Sequence, residues 1–143
     1  MNESSQQAGT LYVVATPIGN LDDISLRAIT TLQQCDWVVC EDTRHSQRLF
    51  QAHGISTKTK SLHQHNENQE AAKIIQMLQA GQDVALVSDA GTPLISDPGF
   101  PLLQQAHEQN IKVVPIPGAS ALITLLSVAA TRTTLIGFYG FLR

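Results

Sequence analysis

Four short apolar runs, at residues 10–15 (TLYVVA), 36–40 (DWVVC), 84–87 (VALV) and 112–116 (KVVPI), each break off into a segment dense in turn-forming or acidic residues and then into a stretch of helical spacing. Runs this short and this rich in β-branched residues read as strands buried on both faces of a parallel sheet, because a strand with one wet face would alternate apolar with polar. Parallel neighbours need crossover connections, which helices supply. The chain is therefore expected to be α/β: an open, mainly parallel sheet of about five strands with helices on both faces. A short run at 60–62 adds a strand, and the weak alternation at 135–142 reads as one more.

Helices are expected over 25–34, from about 43 to 53 with Asp42 or Thr43 as cap, up to about 79–80, over 100–108 and over 120–130. Gly54 and Gly81 are natural stops. The 120–130 helix, rich in small residues, is expected to pack tightly. Residues 1–9 are polar and are expected to form a disordered tail, leaving 10–143 as one domain.

Composition removes several classes of function. A net charge of −3 with few charged residues announces no nucleic-acid surface by composition alone. Cys35 and Cys40 lack the spacing and partners of a zinc site, which leaves reduced, buried thiols as the expectation. No apolar run reaches membrane-spanning length and the first residues carry no signal-peptide core, so a cytoplasmic protein with no membrane partner is expected.

The stretch 85–100 (ALVSDAGTPLISDPGF) concentrates the chemistry. Asp89, Gly91, Pro93, Asp97, Pro98 and Gly99 bend the chain, fix φ or offer acceptors to nearby N–H groups. The loop follows a buried strand, where open α/β sheets bind ligands. Gly91 permits a close backbone approach, and Ser88, Thr92 and Ser96 supply hydroxyls. Asp89 and Asp97 either face a cation or hold the loop by Asx-type bonds, and the residues alone leave both open. With 16–23, 41–45 and 117–120, this loop should gather at one edge of the sheet and form a site.

Taken together, VATPIGNLDDIS, CEDTRHSQRL, HNE at 65–67, SDAGTPLISDPG and PGASA resemble the tetrapyrrole methylase superfamily and, within it, the ribosomal RNA branch of small-subunit rRNA (cytidine-2′-O-)-methyltransferases. The resemblance runs from about Thr10 to the end. It implies a two-domain, homodimeric enzyme that uses S-adenosylmethionine, of which this chain is the amino-terminal domain alone, with small-subunit rRNA or the ribosomal subunit as partner. It also implies cofactor contacts at Ile18, Ser88, Asp89, Ala90, Gly91, Thr92, Ile95, Ser96, Ser120 and Ala121. No metal belongs to that chemistry, so His63 and His65 are expected to flank a turn or reach substrate.

Methyl transfer to a ribose hydroxyl is an in-line displacement in which positioning carries much of the rate and a general base takes the proton. The candidates on the expected edge are Glu41, Asp42, Asp22, Asp23 and His45. Glu41, Asp42 and Arg44 are the expected catalytic group, with Arg44 as a forked donor to ribose or phosphate. The same residues also read as a helix cap with a structural ion pair. Two further readings stand beside this one: methylation of a tetrapyrrole precursor, and a non-catalytic dimerising module that binds a small ligand.

Overall fold

The computed structural model describes residues 6–95 and 97–140. Its order is β1 (Thr10–Val14), α1 (Leu26–Gln34), β2 (Trp37–Cys40), α2 (Thr43–Ala52), β3 (Lys58–Ser61), α3 (Glu67–Gln79), β4 (Val84–Leu86), α4 (Phe100–Glu108), β5 (Lys112–Ile116) and α5 (Ala121–Val128). The five strands form one parallel sheet in the order β3-β2-β4-β1-β5. All their carboxyl ends therefore lie along one rim.

Strand geometry explains why the apolar runs are continuous. Successive side chains point to opposite faces, and here both faces are covered. Val38, Cys40, Ala85 and Val87 join a core with Ala28 and Leu32 of α1 and Leu49 and Phe50 of α2. Val39, Val84 and Leu86 join a second core with Ile74 and Leu78 of α3 and Leu102 and Ala106 of α4. The edge strands obey different rules. β5 admits Pro115, whose missing N–H is tolerated at an edge. β3 (KTKS) is polar and half-buried, with Lys58 Nζ 5.5 Å from the Trp37 ring centre and Lys60 Nζ 3.0 Å from Glu70 Oε2.

Helix starts follow local chemistry. Ser25 Oγ accepts from Ala28 N at 3.0 Å, and Asp42 Oδ1 accepts from Arg44 N at 2.9 Å. Asn66 spends its Oδ1 on His63 N at 2.8 Å and makes no side-chain cap. Gln6 and Gly9, expected in a disordered tail, are hydrogen-bonded to α3 and its C-cap: Gln6 Nε2 donates to Ala80 O and Gly9 N to Leu78 O.

Two expectations about the end of the chain are corrected. Residues 135–140 form no strand, and Leu135 and Tyr139 are almost fully exposed; alternation alone makes no strand without a sheet edge to pair with. The rest of that expected strand lies outside the described residues. Nor is α5 tightly packed: none of its residues is buried, and Leu122, Ile123, Leu125 and Val128 are exposed. Its apolar character signals burial, but among the described residues nothing covers it. The third strand begins two residues earlier than expected, at Lys58, because cross-strand ties rather than apolar side chains define it.

Candidate active site

Four rim loops are stitched together by hydrogen bonds. Thr16 and Gly91 exchange both backbone bonds at 3.0 Å, an isolated antiparallel bridge between the loops after β1 and β4. Thr16 Oγ1 adds a bond to Ser88 O at 3.3 Å. The loop after β2 joins them through Asp89: its Oδ1 accepts from Asp42 N at 3.3 Å and its carbonyl accepts from His45 Nε2 at 2.8 Å, which fixes the proton on that ring nitrogen. The loop after β5 attaches through Thr92 Oγ1, which donates to Ala119 O at 3.1 Å. The expected gathering of connections at one rim is thus present.

Asp89 thus makes bonds that hold the shape of the rim. Gly91 also makes close contacts within the chain. Its φ of +77° suits glycine, and a Cβ there would lie 3.3 Å from Ile18 Cγ2 and 3.7 Å from Ala119 O. The close approach that this glycine permits is made by the chain itself.

Two environments adjoin the Ser88–Gly91 strip. One is a cavity of about 390 Å³, walled by 16–21, by Arg44, His45, Ser46, Arg48 and Leu49 of α2, and by Ser88, Asp89 and Ala90. That volume is within the range of small-ligand sites. Of the residues expected at the cofactor, Ile18, Ser88, Asp89 and Ala90 line it, whereas Gly91, Thr92, Ile95, Ser120 and Ala121 do not. Ser96 lies outside the described residues. Thr92 faces the loop after β5, Ile95 is exposed, and Ser120 is the N-cap residue of α5 without a side-chain cap bond.

Carboxylates dominate the other environment. Burial pushes the Glu41 carboxyl above its ordinary range, and Asp89, Asp97 and Asp42 push it further, with His63 opposing them. Asp97 is raised for the same two reasons, burial first and Asp89 second. A carboxylate raised toward neutrality is a better proton acceptor at working pH. Asp42 is engaged elsewhere, capping α2 through Arg44 N and His45 N. Asp22 and Asp23 are exposed on a turn closed by Asn20 and do not line the cavity. The expected catalytic group therefore divides: Glu41 sits among carboxylates, Asp42 is the cap, and Arg44 faces the cavity.

Asn20, in the 16–23 loop expected at this edge, and Arg48, which the sequence offers as a scattered cation near RNA or on a solvated face, also line the cavity. Arg48 follows Arg44 by four residues, the spacing that puts two side chains on one helical face, so the signal was present. His63 and His65 stand edge to face with ring centres 5.9 Å apart. Among the described residues no group of three or more His, Cys, Asp or Glu is arranged to hold a metal. Burial raises both thiols, Cys35 to about 12. Among the described residues no helix is long and apolar enough to cross a membrane.

A family model described as Tetrapyrrole (Corrin/Porphyrin) Methylases matches residues 10–140. The chain belongs to the tetrapyrrole methylase family. Within that family, a protein of Pseudomonas aeruginosa named Ribosomal RNA small subunit methyltransferase I is 58% identical over 135 residues, 94% of this chain and 48% of the relative. Its namesake from Escherichia coli O157:H7 is 51% identical over 134 residues, 94% of this chain and 47% of the relative. The chain spans about half the length of the curated relatives it matches. Two solved structures share the fold at low identity. A diphthine synthase gives a TM-score of 0.72 at 17% identity over 90% of this chain and 52% of its own. A cobalt precorrin-4 methyltransferase gives 0.67 at 16% over 95% and 56%.

Proposed function

We propose that this chain is the amino-terminal, methyl-donor-binding part of an enzyme that methylates the ribose 2′-hydroxyl of a cytidine in small-subunit rRNA, with S-adenosylmethionine as donor. The observation that carries the reading is the 58% identity, over 135 of the 143 residues, to a relative named for rRNA methylation.

The rim suits a cationic donor. Ser88 Oγ and Thr92 Oγ1 donate to backbone carbonyls and keep lone pairs free to accept from an ammonium. Glu41, Asp89 and Asp97 give the strip a negative potential that favours a cation. These residues, with Ala90 and the segment entering α5 at Ser120 and Ala121, would hold the donor, which when bound supplies an electrophilic methyl group on sulfur. Glu41 is the proton acceptor for the attacking hydroxyl, because its raised affinity for a proton matches that task. His45 holds Asp89 in place through its carbonyl. The reading includes a cytoplasmic homodimer acting on rRNA or the ribosomal subunit, and the exposed apolar residues of α5 offer a surface for such a protein contact.

The test is calorimetric titration of S-adenosylmethionine into the intact protein, followed by nucleoside mass spectrometry of small-subunit rRNA treated with protein and donor. Donor binding with a new 2′-O-methylcytidine is expected. Absence of donor binding would reject the cofactor; methylation at a base atom would reject the ribose hydroxyl as acceptor.

A further inference from the structure

We infer that the cavity between the 16–21 loop and α2 seats a phosphodiester and nucleotide of single-stranded RNA, with Arg44 and Arg48 as the phosphate ligands and Ser88–Ala90 as the wall dividing it from the methyl donor. The inference rests on the rRNA methylation reading and specifies where that substrate lies.

Four of the chain's cations already have partners. Lys60 and Lys73 pair with Glu70 at 3.0 and 2.8 Å, Lys58 lies over Trp37, and Arg27 Nη2 donates to Pro115 O at 3.1 Å. The guanidiniums of Arg44 and Arg48 make no hydrogen bond or ion pair among the described residues, and both line the cavity. Lys112 and Arg132 do not line it. Like charges four apart on a helix repel, so this pair works against the stability of α2. A bound anion would reverse the sign of that interaction, and two planar forks suit phosphate oxygens.

The remaining walls favour a nucleotide over a free anion. Ile18, Leu21 and Leu49 give an apolar surface on which a base can lie, and Asp89 marks the polar side where the cavity meets the carboxylates. A ribose between the guanidiniums and Asp89 would sit beside the Ser88–Ala90 wall. The chain's net charge of −3 makes the concentration of unpaired cations at this one cavity the feature that an RNA backbone can use.

The experiment measures binding of unmodified small-subunit rRNA to the intact protein over a range of salt concentrations, together with S-adenosylmethionine affinity and methylation kinetics, for Arg48→Gln, Arg48→Lys and the Arg44→Gln/Arg48→Gln pair. Each lost phosphate contact should reduce the slope of log affinity against log salt by about 0.7, and the double variant by about 1.4. The RNA KM should rise roughly tenfold for Arg48→Gln with donor affinity unchanged. Arg48→Lys should restore the slope because it restores the charge. An unchanged slope and KM in the double variant would overturn the inference, and so would a parallel loss of donor affinity restored by Arg48→Lys, which would assign the pair to the donor's carboxylate. If the unaltered protein methylates no rRNA, the functional reading falls first; if it does and the variants keep their slope, only this inference falls.

Discussion

On the faces of the sheet, Phe50, Leu32 and Val38 on one side and Ile74, Leu78 and Leu102 on the other are buried among apolar neighbours. At the carboxyl rim the same strands end in a glycine with positive φ, two carboxyls, Glu41 and Asp97, whose proton affinity burial and the neighbouring Asp89 raise, and two guanidiniums on one helical face that have no partner among the described residues. Each face contact stabilises the fold; the like charges gathered at the rim work against it. Like-charge proximity persists because the surrounding structure holds it there, and here the two cores supply that support. The contrast teaches which residues belong to folding and which to chemistry, and substitutions on either side can break it.

The largest effect is expected in the core. Phe50 is 2% exposed, and Phe50→Ala should lower stability by about 3–5 kcal/mol in denaturant unfolding while leaving donor affinity unchanged wherever the protein remains folded. Gly91→Val comes next. A β-branched residue at φ +77° carries about 1–3 kcal/mol of backbone strain, and its Cβ presses on Ile18 in the wall of the cavity. Stability and ligand binding should fall together. Donor binding lost at full stability would show that Gly91 meets the ligand, not the chain.

The same contrast decides what could be read from the sequence. Strands buried on both faces appear as unbroken apolar runs, so β1, β2, β4 and β5 were legible, as were the helix start near Ser25, the α2 cap as Asp42 or Thr43, and the gathering of loops at one rim. β3 was legible only in part, because Lys58 and Lys60 hold it by contacts with Trp37 and Glu70 that no local pattern reveals. Residues 135–140 and α5 misled for the opposite reason: apolar character promises burial, but burial needs a facing surface. The site was legible as a set of loops and not as a division of labour. Whether Asp42 caps or catalyses, or whether Gly91 meets ligand or Ile18, depends on which atoms the fold brings together.

Asp42 offers a smaller, sharper test of that division. If its carboxylate serves only as the cap of α2, Asp42→Ala should cost about 1 kcal/mol of stability, and Asp42→Asn, which keeps an accepting oxygen, should restore both stability and methylation. Restored stability without restored methylation would return Asp42 to the chemistry.

The smallest stability effect, and the one of opposite sign, belongs to Glu41. Burial and then Asp89, Asp97 and Asp42 raise its proton affinity in the folded state above the unfolded value. Its proton-linked contribution is therefore fully present below the ordinary carboxylate range and is lost as pH rises through the raised value, so at neutral pH the ionised side chain opposes folding. Glu41→Gln should raise Tm at neutral pH, and the gain should shrink as pH is lowered to about 4, where the native carboxyl is increasingly protonated. If Glu41 accepts the proton from the ribose hydroxyl, the same substitution should lower kcat by roughly 10²–10⁴. A more stable protein that methylates less would place Glu41 among the groups held for chemistry against the preference of the fold. A gain in Tm with unchanged kcat would make it an uncompensated charge and leave Asp97 as the carboxyl to test.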